Sequence, residues 1–167
     1  AARGTGHVVG AIAQVLAGDP AATLQGLSAP TTRIVTLTVT EKGYGIDRAT
    51  GLPDPQNATV AADLAQPDAP SGVLGLLTAA LAIRRAKGDA PFTVLCCDNL
   101  QENGRFLQQG VVGFARLYDA DLADWIAAHV AFPSSMVDRI TPAPSDATRK
   151  DALALTGCTD LAAIETE

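Results

Sequence analysis

Carboxylate and carboxamide side chains, which can take part in catalysis or ligand binding, follow three mainly apolar stretches of this sequence. They are Glu41 after TLTVT, Asp98 and Asn99 after VLCC, and Asp138 after SMV. An asparagine amide N–H can stabilise negative charge on the oxygen of a carbonyl group that is being reduced, and it does so without titrating. Glu41 and Asp138 can accept hydrogen bonds from ribose hydroxyls, a carboxamide or a polyol, or hold a nearby lysine in its charged form.

The apolar stretches themselves predict strands. Residues 31–40 are rich in β-branched side chains, and residues 91–97 form a continuous apolar run of the kind found in strands covered on both faces. A third strand is predicted within residues 130–140, where Pro133 stands near the start and its missing amide donor is tolerable. Residues 7–16 form a weaker fourth candidate.

Helical patterns separate these stretches. Ser71 is a candidate N-cap for a helix that runs to residue 87 and stops at Gly88. Further helices are predicted at residues 19–27, 105–117 and 121–129 from the spacing of their apolar residues. The proline-containing residues 45–70 are predicted to be an irregular surface excursion.

Strands that alternate with helices imply crossover connections and a parallel sheet, hence an α/β fold of the doubly wound type with flanking helices. In such a sheet, ligands bind beyond the carboxyl ends of the strands. For any single polar residue, the start of a loop or a helix cap is the commoner explanation. Because such residues follow three successive strands, the pattern favours one shared crevice.

The composition and net charge of the chain indicate which kinds of binding partner are unfavourable. The chain has 167 residues, 47% of them hydrophobic but only 4% aromatic, which is enough for one aliphatic core. Its net charge of −6 argues against a nucleic-acid or anionic-membrane surface. Three cysteines, two of them adjacent, make no disulfide framework, and we expect a reduced, cytoplasmic protein.

Several other motifs carry less weight. The glycines between Gly4 and Gly10 resemble a phosphate-binding loop, but no strand precedes them in this sequence. Tyr44 is followed four residues later by Arg48, and Tyr118 by Leu122, so the Tyr-Lys pair of short-chain dehydrogenases is absent. The two histidines are too far apart in sequence to suggest a metal site, and none is predicted.

Three segments together resemble the mannitol dehydrogenase family, the polyol-specific long-chain dehydrogenases. They are TLTVTEKGY at 36–44, PFTVLCCDNLQENG at 91–104 and VAFPSSMVDRITP at 130–142. The last is similar to the family signature around V-D-R-[IV]-x-P, and the order and spacing of all three agree with the family. The family usually has Ser where this chain has Cys96, a change that we expect to alter packing and not chemistry.

The resemblance implies a function and a set of residues. Members of this family use NAD or NADP to interconvert a sugar alcohol and a ketose by hydride transfer, without a metal. By this resemblance Asn99 binds the carbonyl oxygen and is the catalytic candidate. Cofactor contacts are expected from Glu41, Asn99, Val137 and Asp138.

The resemblance also predicts the domain organisation. Residues 1–167 are expected to be the second half of an N-terminal, NAD(P)-binding Rossmann domain. The phosphate-loop segment and the helical domain with the catalytic lysine are expected to lie outside this sequence. Such a piece is expected to be inactive alone and to associate through an exposed sheet edge.

Two alternatives remain open from the sequence. One is a hexuronate reductase of the same family, with a ketouronate such as fructuronate or tagaturonate as substrate. The other is a non-catalytic α/β module that binds a nucleotide or mediates assembly.

Overall fold

The computed structural model describes residues 9–137 and 142–164, without the side chain of Glu41. The chain divides into two compact units, Leu16–Val137 and a second unit of which residues 9–15 and 142–164 are described. The first unit contains α1 (Pro20–Ser28), β1 (Ile34–Leu37), a 3₁₀ helix (Glu41–Tyr44), α2 (Ala58–Ala65), α3 (Val73–Lys87), β2 (Thr93–Cys96), α4 (Asn103–Arg116) and α5 (Ala120–His129).

The two strands pair in parallel. Ile34 lies opposite Thr93, and Leu37 lies opposite Cys96. Because parallel strands need a crossover connection, α2 and α3 lie between β1 and β2 in the chain. The α/β class and the parallel sheet are therefore confirmed, although each strand is shorter than its apolar stretch. Within the described residues β1 pairs only with β2, so its other edge carries no ladder.

The third predicted strand is wrong as a strand in its described part, residues 130–137. This segment runs beside β2, where the Val94 amide donates to the Ala131 carbonyl at 3.0 Å. Pro133 has no amide to continue a ladder. Further along, the Ser135 amide donates to the Asn103 side chain at 3.0 Å. A side chain thus takes the place of a strand partner there.

The fourth predicted strand is also wrong for residues 9–16, which have no regular secondary structure. A strand needs a partner for its backbone hydrogen bonds, and none of the described strands pairs with this segment. Its apolar side chains are exposed: Val9, Ile12 and Val15 are 70%, 77% and 78% accessible.

The predicted helices of the first unit all form, within two residues of their expected ends. Gly88 ends α3 in a left-handed conformation with φ +73°, as expected for a glycine stop. The proposed cap at Ser71 is wrong. Gly72 is the N-cap, and the buried Asp63 carboxylate of α2 accepts from the amides of Ser71 and Gly72 at 2.9 and 2.8 Å.

The expectation of an irregular excursion at residues 45–70 is wrong in part, because α2 lies inside it. Asn57 caps α2 by accepting from the amides of Thr59 and Val60. Val60 is buried against the core, and Asp63 caps α3 as described. Tertiary contacts thus stabilise a helix of only eight residues, which is too short to be stable alone.

Aliphatic side chains build most of the core of the first unit. Leu74, Leu77 and Leu81 of α3 are almost completely buried, and each such side chain gains about 1.5–3 kcal/mol of transfer free energy. The same hydrophobic cluster includes Val94 of β2, Val111 and Phe114 of α4, and Leu122 and Ile126 of α5. This core fixes β2 and α4, the two elements that flank Asn99.

The second unit contains α6 (Asp146–Thr156), which was not predicted. Ser145 caps it by accepting from the Thr148 amide at 3.1 Å, and Gly157 ends it with φ +73°. None of the helices in the described part of the chain is long and apolar enough to cross a membrane.

Candidate active site

The loops that follow β1 and β2 meet at the carboxyl edge of the sheet. The Asp98 carboxylate, just after β2, accepts from the amides of Val39 and Thr40 at 3.0 and 3.4 Å. It also accepts from the Tyr44 hydroxyl. Asp98 therefore ties the loop after one strand to the loop after the other, and its role is structural.

Asn99 takes no part in this network. It is exposed, and its side chain has no hydrogen-bond partner within the described residues. The structure thus offers a neutral amide donor at the edge of the sheet where α/β proteins bind ligands.

The other predicted site residues are only partly described. Glu41 begins the 3₁₀ helix next to the Asp98 network, but its side chain lies outside the described part. Val137 is half-buried, two residues after Ser135. Asp138 lies outside the described residues. The structure therefore brings the backbone of Glu41 and the loop of Asn99 together and leaves Asp138 untested.

Backbone strain marks both loops. Thr40, after β1, has φ +66° and ψ +152°, a conformation used almost only by glycine. Glu102, in the loop after β2, has φ +48°. Strained residues of this kind persist where their surroundings hold them, and they concentrate at functional sites. The Thr40 amide is held by Asp98, so the strain lies directly beside the proposed crevice.

Asn103 is the polar residue at this edge that the sequence analysis missed. It is 1% exposed at the start of α4, and its amide nitrogen lies 3.1–3.2 Å from the carbonyl oxygens of Cys96, Asp98 and Ser135. The sequence signal was an Asn-Gly pair opening an amphipathic helix. Gly104 is needed because an added Cβ would lie 2.4 Å from the Phe132 carbonyl oxygen.

Tyr44 is the buried side chain of the Asp98 network. Its ring is buried, and its hydroxyl lies 3.2 Å from Cys96 Sγ and donates to Asp98. Burial raises the pKa of Tyr44 well above its ordinary value of 10.0, and the hydrogen bonds to Asp98 and Cys96 raise it further. The hydroxyl therefore stays protonated and keeps Asp98 as an acceptor.

We expect Tyr44→Phe to reduce the loss of stability at alkaline pH. Because the folded pKa of Tyr44 lies above the unfolded one, its contribution to the free energy of unfolding is complete below about pH 10 and declines above it. The variant should be about 1 kcal/mol less stable near neutral pH, since it lacks the hydrogen bond. Denaturant unfolding between about pH 8 and pH 11 measures both effects.

Tyr118→Phe is the comparison for this experiment. Burial, followed by the charges of Asp119 and Asp68, raises the pKa of Tyr118 only to about 12. Up to pH 11 both folded hydroxyls stay protonated, so Tyr118→Phe should remove a similar part of the alkaline loss. Near neutral pH it should cost less stability than Tyr44→Phe, because the Tyr118 hydroxyl has no hydrogen bond within the described residues. Identical pH dependence in Tyr44→Phe and the unsubstituted protein would contradict the role assigned to Tyr44.

Among the residues that the structure describes, no group of three His, Cys, Asp or Glu side chains could hold a metal ion.

Comparison with known proteins identifies close relatives of the whole chain. Residues 3–165 match the family described as the Mannitol dehydrogenase Rossmann domain. A mannitol 2-dehydrogenase from Cereibacter sphaeroides is 50% identical over 142 residues, which cover 85% of this chain and 29% of that protein. A polyol:NADP oxidoreductase from Gluconobacter oxydans is 43% identical over 160 residues, which cover 95% of this chain and 33% of that protein.

A solved structure with a similar fold comes from a protein of the same name as the first relative. The mannitol 2-dehydrogenase of Pseudomonas fluorescens, in a ternary complex with NAD and D-mannitol, superimposes with a TM-score of 0.80 at 44% identity. The match covers 87% of this chain and 30% of that one. The chain thus spans about a third of the length of the relatives it matches. The Rossmann-type fold predicted from the sequence is confirmed.

Proposed function

The chain belongs to the mannitol dehydrogenase family, and from this premise we propose that it forms part of the reaction cleft of an NAD(P)-dependent polyol oxidoreductase. The whole protein would interconvert a sugar alcohol, such as mannitol, and a ketose, such as fructose. The observation that carries the proposal is the amide of Asn99, which follows β2, is exposed and has no hydrogen-bond partner within the described residues.

The chemistry of the edge fits a nicotinamide cofactor. The loops after two parallel strands meet there, the apolar Val137 belongs to a segment that contacts β2, and the Asp98 carboxylate is already hydrogen-bonded to Tyr44 and the Val39 amide. Carboxylates beside an apolar side chain suit a nicotinamide ring, which bears a carboxamide and is positively charged when oxidised, better than they suit a phosphate. When bound, NAD or NADP supplies or accepts the hydride. Four residues would contact it, namely Glu41, Asn99, Val137 and Asp138.

Asn99 would act on the substrate oxygen. Its amide N–H would donate to the carbonyl oxygen of the ketose, and this bond strengthens as negative charge develops there. An amide does not titrate, so the donor is present at every pH at which the protein is folded. Glu41 and Asp138 enter the proposal through their sequence motifs, as acceptors for hydroxyl or carboxamide groups.

Relatives with different cofactors leave both NAD and NADP in the proposal. The solved relative contains NAD, and the Gluconobacter protein is named for NADP. A hexuronate in place of the ketose remains an alternative substrate that the family resemblance allows. We also propose a cytoplasmic location, because three cysteines without a disulfide framework suit a reducing compartment. Association through the open edge of β1 remains a prediction.

The test is ketose-dependent oxidation of NADH or NADPH by the whole protein, followed by the absorbance of the reduced nicotinamide. Fructose, fructuronate and tagaturonate should be compared at equal concentrations, each with both cofactors. We expect turnover with fructose, and a greater rate with the uronates would favour the hexuronate reductase. Binding of either cofactor without turnover of any sugar would contradict the enzyme and favour a non-catalytic module.

A further inference from the structure

The side chain of Asn103 joins three separate segments of the chain. Its amide nitrogen lies 3.2 Å from the carbonyl oxygen of Cys96, at the end of β2, and 3.1 Å from that of Asp98. It lies 3.1 Å from the Ser135 carbonyl oxygen and 3.2 Å from the Ser135 hydroxyl, while its own oxygen accepts from the Ser135 amide. The two hydrogens of one amide group therefore face four acceptor oxygens.

Only asparagine meets all of these contacts at this position. The oxygen must accept from a backbone amide, and the nitrogen must donate to backbone carbonyls. Aspartate has the same shape but, when ionised, donates nothing and turns an oxygen toward those carbonyls. Because Asn103 is 1% exposed, water cannot replace the lost hydrogen bonds.

One of these contacts reaches the proposed site directly. The Asp98 carbonyl belongs to the peptide group that leads into Asn99, so its direction sets the course of the chain at Asn99. This carbonyl accepts from Asn103 and also from the Leu100 amide at 2.8 Å. A change of the peptide orientation would therefore turn the Asn99 side chain away from its present direction.

Hydrogen bonds of Ser134 and Ser135 also hold the segment that runs beside β2. The Ser135 hydroxyl donates to the Cys96 carbonyl at 2.6 Å, and the Ser134 hydroxyl accepts from the Gly104 amide at 3.2 Å. Residues 131–135 are thus held to β2 and α4 by these side-chain contacts and by the Val94 amide, which donates to the Ala131 carbonyl. Both predicted sides of the cleft, Asn99 and Val137, depend on the same cluster.

We propose that Asn103 is a positioning residue, which fixes the loop after β2 and the segment before Asp138 so that Asn99 faces the substrate oxygen. The inference rests on the proposed function. Asn103 itself touches neither substrate nor cofactor. A role in stability alone would lower the folded fraction without a specific effect on the step that Asn99 assists.

Asn103→Asp in the whole protein tests the proposal, because it keeps the shape and the acceptor and removes the donor. We expect kcat for ketose reduction to fall about 10–100-fold with a smaller change in KM, since a misplaced group loses contacts made in the transition state. Added to Asn99→Ala, the same substitution should cause no further loss of kcat. Asn57→Asp is the matched control, because Asn57 uses only its oxygen, as an acceptor at the start of α2.

Hydrogen exchange gives a second measurement that does not depend on turnover. Amides of residues 97–102 and 134–136 should exchange at least about tenfold faster in Asn103→Asp, whereas those of α1 should be unchanged. If this variant does not fold, Ser135→Ala replaces it, since it removes only the hydroxyl from the cluster.

Two results would overturn the proposal. One is unchanged kcat together with unchanged exchange of residues 97–102. The other is an equal loss of kcat with and without Asn99, which would show that Asn103 acts on the fold as a whole. A normal rate in Asn99→Ala would contradict the proposed function instead, and the exchange of residues 97–102 would still decide whether Asn103 holds the loop.

Discussion

Asn99→Ala in the whole protein should lower kcat for ketose reduction by about 10²–10³-fold, the usual loss when one donor to a developing oxyanion is removed. The reason lies in the transition state. Negative charge grows on the ketose oxygen as the carbonyl is reduced, and the amide of Asn99 would be preorganised to meet it. KM should change less than kcat, because the neutral carbonyl of the bound ketose gains less from the same hydrogen bond.

Gln101→Ala is the matched control for Asn99→Ala. Gln101 is an exposed carboxamide two residues further along the same loop, so it shares the chemistry and exposure of Asn99 but not its place next to Asp98. Its rate should be close to that of the unsubstituted protein. Asn99→Asp should lose at least as much activity as the alanine variant, since a carboxylate repels the developing charge. Near-normal turnover in Asn99→Ala would remove Asn99 from the reaction.

Arg84→Ala should be the most destabilising single change in the first unit, with a loss of about 3 kcal/mol or more in the free energy of unfolding. Arg84 is a 1% exposed cation near the end of α3. Its guanidinium donates to the carbonyls of Leu27 and Ala29 at the end of α1, and to the Ala90 carbonyl ahead of β2. Phe92 lies beneath it, with the ring centroid 5.5 Å from Cζ.

The contacts of Arg84 explain why its removal is costly. The carbonyls at the end of α1 carry the negative end of the helix dipole, and the buried guanidinium neutralises them. Alanine would remove the Arg84 donors from the Leu27 and Ala90 carbonyls and open a cavity beside Phe92, whereas the Ala29 carbonyl would still accept from the Thr32 amide. Lysine would not substitute, because a single ammonium group cannot reach both sides as the planar guanidinium does.

Arg85→Ala is the control for this prediction. Arg85 is the next residue of the same helix and is exposed, so its removal should change the free energy of unfolding by no more than about 0.5 kcal/mol. Chemical denaturation of both variants, with the slope and midpoint analysed separately, measures the difference. Equal stability of the two variants would contradict the structural role of Arg84.

Local sequence was sufficient to predict elements whose sequence signal is local, even where their partner strand is distant in the chain. The β-branched residues 31–40 and the apolar residues 91–97 contain the two strands, and the helix ending at Gly88 was located to within two residues of its ends. In contrast, α2 escaped prediction because prolines flank it and because Asp63 stabilises α3 only through a tertiary contact. No local pattern records such a contact.

The same distinction applies to the site. Asn99 could be singled out because it directly follows a predicted strand, a position where α/β sheets bind ligands. Asn103 could not, because its partners Cys96, Asp98 and Ser135 meet only in the folded chain. The third predicted strand failed for a related reason. The Ser135 amide donates to the Asn103 side chain and Pro133 has no amide to donate, so a regular ladder beside β2 does not form.

A crystal structure of the whole protein with its cofactor and a bound sugar alcohol tests the central claim most directly. We expect the Asn99 amide nitrogen to lie about 3 Å from the hydroxyl oxygen at the reacting carbon, the distance of a hydrogen bond. The Asn103 side chain should still contact Cys96, Asp98 and Ser135 in that complex. A sugar alcohol bound away from the carboxyl ends of β1 and β2, or an Asn99 side chain turned away from its reacting oxygen, would contradict the account.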